Sequence, residues 1–392
     1  MAPVPLFKIK QNDIFTFDHF YENVLAKDAD VLKLGFAKIR IVDQNADEIK
    51  LEDKMSKLKI EVQKQTVSSP ATNSKGIFKI KIEYIMKNNE RNTKKTKNPK
   101  KSKKPKKSKP QMDEWSFQNF LEKVNEETKN VKLNPAADSR TFINEYFETT
   151  GNRIERYGKV YDETLFDEQQ DEKKTIKFKI SNLANPIDVK HIHIISEGVN
   201  LPMLLVAGKF ACFPWHDEDY SMASINFMHW GEDKIWIIVH RDQKNTDKFR
   251  DLLIEEFRKY EKTKCSNPAK HKEYLTNLKW LDDHQIEYSI VRQKVGDYII
   301  LLPGVYHCGI NTGVNITEAR NFVCSLWAAA YERLAKRNQH FCTCGYIEKI
   351  EIENEMEQFK HSGTFAFEKA FESDEYITEF EMADYDSTEK SR

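Results

Sequence analysis

No stretch of the chain approaches the ~18 consecutive apolar residues that a bilayer span requires. The opening MAPVPLFKIK also lacks the apolar core of a signal peptide. Secretion and membrane residence are therefore not expected. Cysteine is scarce: six residues in 392 are too few for a disulfide scaffold. Net charge is absent, with 62 Lys+Arg against 62 Asp+Glu, so total charge names no partner. No internal repeat is visible. What remains is a chain with 39% hydrophobic and 32% charged residues, long enough for about two or three units with real cores, in which basic and acidic residues are segregated.

Residues 1–41 read as a small ordered segment with aromatic anchors at Phe7, Phe15, Phe17, Phe20 and Tyr21, closing on the strand-like VLKLGFAKIRI. Residues 42–75 are polar and end in TVSSPATNSKG, which predicts a linker, and 76–86 (GIFKIKIEYI at its start) alternates as a strand does. The Lys-rich run 87–111 has almost no apolar residue and cannot offset its ordering entropy by burial, so disorder is expected there. A nuclear-import signal or nucleic-acid contact through 87–110 competes with a plain solvated loop. Phe117, Phe120, Leu121 and Val124 have helical spacing. After Tyr157 short β-like runs dominate: TIKFKI, HIHII, MLLVAG, SINFMHW, KIWIIVH, YIILL and FVCSLW, interrupted by helical texture between His240 and Trp280. Residues 345–392 form an acidic, aromatic-dotted tail.

The chemistry concentrates in FPWHDEDYSMASINFMHWGEDKIWIIVH. His216 and Glu218 are two apart in a segment leading into a strand, where side chains at i and i+2 share a face. His307 lies far downstream, directly after another strand-like run. Two imidazoles and one carboxylate on one face of an octahedron leave open positions, as in non-haem Fe(II) oxygenases. An isolated H-x-E also arises by chance, and His216 could be a satisfied core histidine. Lys234 follows Asn226 by eight residues, in a strand expected to run back across the same sheet. A buried lysine there would call for an anion such as the dicarboxylate 2-oxoglutarate; a lysine at a strand end with its head in water is the alternative. Cys265 and His271, with Cys342 and Cys344 in CTC, could close a tetrahedral zinc site or be four unconnected side chains.

These residues fall in an order that resembles the JmjN/JmjC histone lysine demethylases. VPLFKIKQNDIFTFDHFYENVLAKDADVLKLGFAKIRI is similar to a JmjN segment, and Tyr157-Gly158 with Thr164 to Phe166 to the family's YG…TLY stretch. EGVNLPMLLVAG, FPWHDED, SINFMHWGEDKIW and YHCGINTGVNITEARNF follow in family order. The resemblance implies a mainly β fold with flanking helices: a double-stranded β-helix (jelly-roll, cupin-like) JmjC core over 112–344, with the zinc-bound helical insert at about 241–285 and the JmjN segment packed against it. It implies Fe(II) on His216, Glu218 and His307. The co-substrate 2-oxoglutarate would be held by Lys234 and Tyr157, with Asn226 contacting it and Trp236 walling its pocket. Gly198, Asp219 and Asn321 match positions lining a methyl-lysine pocket. A structural zinc on Cys265, His271, Cys342 and Cys344 is characteristic of the subgroup acting on lysine nine or thirty-six of histone H3. Cys212, Cys308 and Cys324 read as buried core residues.

The sequence also departs from the family. Where relatives have PYLYFG this chain has PMLLVAG, so Leu205 stands at the place of the second tyrosine and Met203 at that of another aromatic; Ala319 stands where many relatives have serine. The pocket is more apolar than usual. No PHD- or Tudor-like module is present. The resemblance implies a nuclear, dioxygen-consuming oxygenase. It would hydroxylate an N-methyl group of trimethyl- or dimethyl-lysine on the histone H3 tail and release formaldehyde, succinate and carbon dioxide. A protein hydroxylase of the same fold and a barely active chromatin-binding scaffold are the alternatives.

Overall fold

The computed structural model describes residues 4–10, 17–42, 48–68, 76–85, 113–149, 153–161, 163–166, 180, 201–261, 265, 267–322, 324–327 and 330. The Lys-rich insert, HIHII, TIKFKI apart from Ile180, Gly198, Cys342, Cys344 and the acidic tail lie outside them. The N-terminal third carries β1 (Leu6–Ile9), α1 (Phe17–Asn23), α2 (Ala29–Leu34), β2 (Phe36–Ile41), α3 (Glu48–Ser56), β3 (Ile60–Ser68), β4 (Ile77–Tyr84) and β5 (Glu114–Trp115). Then come α4 (Phe117–Thr128), α5 (Ser139–Glu148), β6 (Ile154–Tyr161), β7 (Met203–Ala207), β8 (Cys212–His216), β9 (Ala223–Gly231) and β10 (Lys234–Val239). The chain continues through α6 (Gln243–Glu261), β11 (Tyr274–Thr276), α7 (Leu278–Asp283), β12 (Tyr288–Gln293), β13 (Asp297–Leu301), β14 (His307–Asn311) and β15 (Asn315–Phe322).

Two sheets result. The larger has eleven strands in the order β1-β2-β13-β9-β15-β7-β6-β3-β4-β11, with β5 beside β3; the smaller is β12-β10-β14-β8. Every pairing is antiparallel except β1 with β2. Side chains tie the sheets face to face: Lys234 of β10 donates to Thr317 of β15, and Gln293 of β12 to Asn226 of β9. This is the mainly β, jelly-roll-like architecture that the family resemblance implies.

The outer face of the large sheet is covered by helix. Ser116 caps α4 by accepting from the Asn119 amide, and Phe117, Phe120 and Val124 then bury one stripe against Ile60, Val62, Leu204, Val206 and Ile316. At roughly 1.5–3 kcal/mol for each large apolar side chain removed from water, that stripe far outweighs the weak intrinsic stability of a short helix. Alternate residues of β3, β6 and β7 point the other way, into the space between the sheets.

Two expectations are corrected. Residues 42–75 are not simply a linker: β3 lies inside the large sheet, between β4 and β6. Its polar look misleads because the inward residues include Gln63 and Gln65, which are buried, and the Gln65 amide donates to the Cys212 carbonyl. Gly158 permits this closeness, since a Cβ there would strike Ile60. Lys234 does not run back across the sheet of Asn226 either; β9 belongs to the large sheet and β10 to the small one, so the two residues approach from opposite walls.

Candidate metal centre

β8 ends on His216, and β14 begins on His307. The two are direct cross-strand partners, which places their ring centroids 4.3 Å apart. A register shift follows immediately between His307 and Gly309, where any side chain would collide with Phe213 and the Ile235 carbonyl. Glu218 sits two residues past His216 and turns its carboxylate back, 3.5 Å from His307 Nε2. One ligand atom from each of His216, Glu218 and His307 lies within 4.8 Å of the others, the one such cluster among the described residues.

Tautomers follow from the partners. Nδ1 of His216 lies 2.7 Å from the Pro214 carbonyl and Nδ1 of His307 lies 3.1 Å from that of Val305. A carbonyl only accepts, so each Nδ1 carries the proton and each Nε2 keeps its lone pair. Burial, then the neighbouring His307 and Lys272, hold His216 well below the usual imidazole range; burial likewise lowers His307, against the opposing pull of Glu218. Neutral imidazoles are the ligating form. The donor set therefore fits a divalent ion with open positions.

The loop HDED is fixed by charge. Fully buried Asp217 pairs with Lys270 at 2.7 Å and accepts from Ser221 at 2.6 Å. Lys270 also donates to the Glu218 carbonyl at 3.0 Å, and Lys272 pairs with Asp219 at 3.1 Å.

Lys234 is 1% exposed at the start of β10. Its ammonium donates to Thr317 Oγ1 at 3.1 Å and stands 5.6 Å from the Phe213 ring and 5.8 Å from the Trp236 ring. No carboxylate of the described residues is paired with it, and burial pushes its pKa down to about 7. Thr317 continues a polar chain: Asn226 Nδ2 donates to it at 3.4 Å, Gln293 donates to Asn226 Oδ1 at 3.0 Å, and Trp236 donates to Gln293 at 2.9 Å. Tyr157 is buried with Ala207, Ala211 and the flank of Leu205, and burial keeps it a phenol by raising its pKa. A buried cation with no paired carboxylate among the described residues suits a dicarboxylate.

The remaining candidates fall as follows. Leu205 lies opposite Thr317 on one side and Lys159 on the other; Ala319 lies between Met203 and Asn226, and Asn321 opposite Ser224. Asp219 is at the loop described above. Cys265 is buried, with Sγ 3.4 Å from His271 Nε2; Cys342, Cys344 and Gly198 lie outside the described residues. Cys212, Cys308 and Cys324 are buried. Sequence reasoning missed Thr317, Gln293, Lys159 and Lys272. The spacing from Ala319 and Asn321 back to Thr317 was a usable signal for the first; strand register reveals Gln293 and Lys159, and the ion pair with Asp219 reveals Lys272.

Comparison with known proteins bears on the same region. Residues 203–322 match the family model described as JmjC domain, hydroxylase. The chain is 28% identical to lysine-specific demethylase 4D of Rattus norvegicus over 220 residues, 56% of this chain and 41% of that protein. It is 29% identical to probable lysine-specific demethylase 4F of Homo sapiens over 191 residues, 48% of this chain and 28% of the relative. Lysine-specific demethylase 4B of Mus musculus is 30% identical over 190 residues, 48% of this chain and 16% of the relative. The chain thus spans less than half the length of these curated relatives.

Proposed function

We propose that this chain, whose residues 203–322 match the JmjC domain family model, is an Fe(II)- and 2-oxoglutarate-dependent dioxygenase that removes methyl groups from N-methylated lysine of the histone H3 tail. One observation carries the reading: the His216–Glu218–His307 donor set, with both imidazoles neutral, shares the inter-sheet space with Lys234, a buried ammonium without a carboxylate partner among the described residues. His216, Glu218 and His307 would hold the iron. Bound there with 2-oxoglutarate, iron supplies dioxygen-dependent hydroxylation of an unactivated C–H bond.

The protein's own share is positioning and exclusion of water. Lys234, with Thr317 and the Tyr157 phenol, would neutralise the far carboxylate of 2-oxoglutarate. Asn226, oriented by Gln293, would contact the co-substrate, and Trp236, held by the same glutamine, would wall its slot. The Pro214 and Val305 carbonyls keep both imidazoles turned with Nε2 inward. Asp219 and Asn321, with Gly198, Leu205 and Ala319, would line the substrate side. Hydroxylation of an N-methyl carbon yields a hemiaminal that releases formaldehyde, with succinate and carbon dioxide as co-products. Cys265 and His271 would join Cys342 and Cys344 on a structural zinc. Chromatin as substrate places the protein in the nucleus, with the Lys-rich run 87–110 as import signal or nucleic-acid contact. No helix among the described residues is long and apolar enough to cross a membrane.

Leu205, packed on Tyr157 at the substrate side, favours one second reading, a protein hydroxylase. Mass spectrometry of methylated H3 peptides incubated with iron, ascorbate and 2-oxoglutarate separates the two. Stepwise loss of methylene masses is expected; gain of an oxygen mass supports the hydroxylase; no change in any peptide sinks both. His216→Ala must abolish the turnover.

A further inference from the structure

Three consecutive acids, Asp217, Glu218 and Asp219, follow His216 at the end of β8. Backbone at Glu218 is extended (φ −62°, ψ 158°), so side chains on either side of it diverge from its own. Glu218 turns toward His307, while Asp217 is fully buried on the opposite side. Three carboxylates this close would offer an incoming ion a choice of ligand unless two of them were engaged elsewhere.

One turn of the helical insert engages both. Lys270 pairs with Asp217 at 2.7 Å and Lys272 with Asp219 at 3.1 Å, and the two lysines flank His271. Lys270 also does what Lys272 does not: its ammonium donates to the backbone carbonyl of Glu218 at 3.0 Å. That carbonyl accepts from the Ser221 amide as well, at 2.8 Å, closing the single turn Asp219–Ser221. The Glu218 carboxylate makes no capping bond to this turn, so it is left for the ion.

Backbone strain gathers at the same clamp. Ser221 and Lys272 both have φ of 53°, and they are two of the four non-glycine residues with left-handed backbone among the described residues. Such conformations persist only where surrounding contacts hold them. Here the Ser221 hydroxyl donates to Asp217 at 2.6 Å, and Lys272 is tied to Asp219. Asp217, Ser221 and Lys270 thus form a closed, buried brace directly behind Glu218.

We propose that Lys270 is a positioning residue for the metal ligand Glu218. By neutralising Asp217 and holding the Glu218 carbonyl, it leaves the middle acid of the three for the ion and fixes where that carboxylate stands. The proposal rests on the reading of His216, Glu218 and His307 as metal ligands and needs no methylated substrate. Contacts that orient a metal ligand from behind are worth about ten- to a hundredfold in metal affinity.

The test is Mn(II) binding to the full chain with 2-oxoglutarate, read from the EPR signal of the free ion, beside a melting curve. Lys270→Met alone strands Asp217 as an unpaired buried carboxylate and should melt lower than wild type. The informative variant is Asp217→Asn/Lys270→Met, in which neither charge remains and the amide oxygen still accepts from Ser221. It should melt close to wild type yet bind Mn(II) about tenfold or more weakly. In a Glu218→Gln background the same pair of substitutions should cost no more than about twofold, because the ligand that Lys270 positions is gone.

Wild-type affinity in the charge-free variant overturns the proposal, since the pair would then serve only the fold. An equal loss in the Glu218→Gln background also overturns it, whatever the melting temperature, because the effect would not pass through Glu218. Mn(II) binding that survives His216→Ala overturns the metal reading of the triad and the brace with it. The expected Mn(II) behaviour without loss of methyl groups from any peptide overturns the demethylase reading and leaves the brace standing.

Discussion

Lys234 offers a sharp physical prediction. Burial pushes its pKa from 10.5 down to about 7, because no carboxylate among the described residues compensates its charge. In the free protein it is half charged near neutrality and almost wholly neutral by about pH 9. A dicarboxylate needs the ammonium form, so binding must take up a proton above pH 7. The observed affinity should then track the charged fraction, falling about tenfold (~1.4 kcal/mol) per pH unit and roughly fiftyfold between pH 7 and 9. The sign for stability is consistent. A folded-state pKa depressed below the unfolded value contributes stability that is present above about 10.5 and is lost as pH falls through about 7. The stabilisation gained on adding co-substrate should therefore be larger at pH 6.5 than at pH 9.

The assay is anaerobic calorimetry of 2-oxoglutarate binding to Mn(II)-loaded protein, in buffers of differing ionisation enthalpy. Near pH 8.5 the proton uptake should approach one, and near pH 7 about half of one. Lys234→Arg is the decisive control, since a guanidinium stays charged across this range and should flatten the pH slope while Lys159 is left in place. A wild-type affinity that does not vary from pH 7 to 9 would refute the reasoning, because it would mean that the ammonium survives burial without its ligand.

Three further outcomes are expected. Leu205→Tyr adds a phenolic oxygen in the row between Lys159 and Thr317 and should change kcat/KM on methylated peptides by about tenfold or more, the scale of a polar contact made or lost in a buried site; unchanged kinetics would remove Leu205 from the substrate side. Asp297, fully buried between Lys38 at 3.0 Å and Arg40 at 2.5 Å, staples β13 to β2. Asp297→Asn should cost ~2–3 kcal/mol in urea unfolding, the low end for a broken buried pair because Arg40 is partly exposed, and a loss below ~0.5 kcal/mol would show the staple to be idle. Purified protein should carry a single equivalent of zinc by elemental analysis, lost in Cys265→Ser while iron-site binding of Mn(II) persists; undiminished zinc in that variant would exclude Cys265 as a ligand.

How much of this was legible in the sequence differs by the range of the interaction. The pairing of His216 with Glu218 follows from strand periodicity, and α4 from the spacing of Phe117, Phe120 and Val124, because both are local rules. The partnership of His216 with His307 rests on a β8–β14 register that no local pattern encodes; family resemblance supplied it, and the cross-strand pairing supports it physically. β3 was misread because EVQKQTVS carries its inward face on glutamines, and an amide that finds a buried backbone partner looks in sequence like any solvated loop residue. Lys159 was hidden for the same reason. In RYGKVY a lysine at an alternating position reads as outward, and only the packing of Gly158 against Ile60 shows which face points in.

The charge arrangement connects the two lysines. Lys270 is neutralised by Asp217 and Lys272 by Asp219, so neither contributes a surplus. Glu218 would offset one of the two charges of a divalent ion, and a dianionic co-substrate would more than cancel the other, leaving a single negative charge that Lys234 balances. With that set assembled the centre is neutral, and Lys159 faces it beside Glu61, its direct partner on β3. A site organised this way has no electrostatic reason to attract a cation from water. The peptide must supply its binding energy elsewhere along the chain, and the reacting amine enters most readily without its proton. That demand on the peptide should appear as a steep dependence of KM on peptide length, with short methyl-lysine peptides bound poorly however high the enzyme's kcat; equal KM values for a five-residue and a twenty-residue substrate would contradict it.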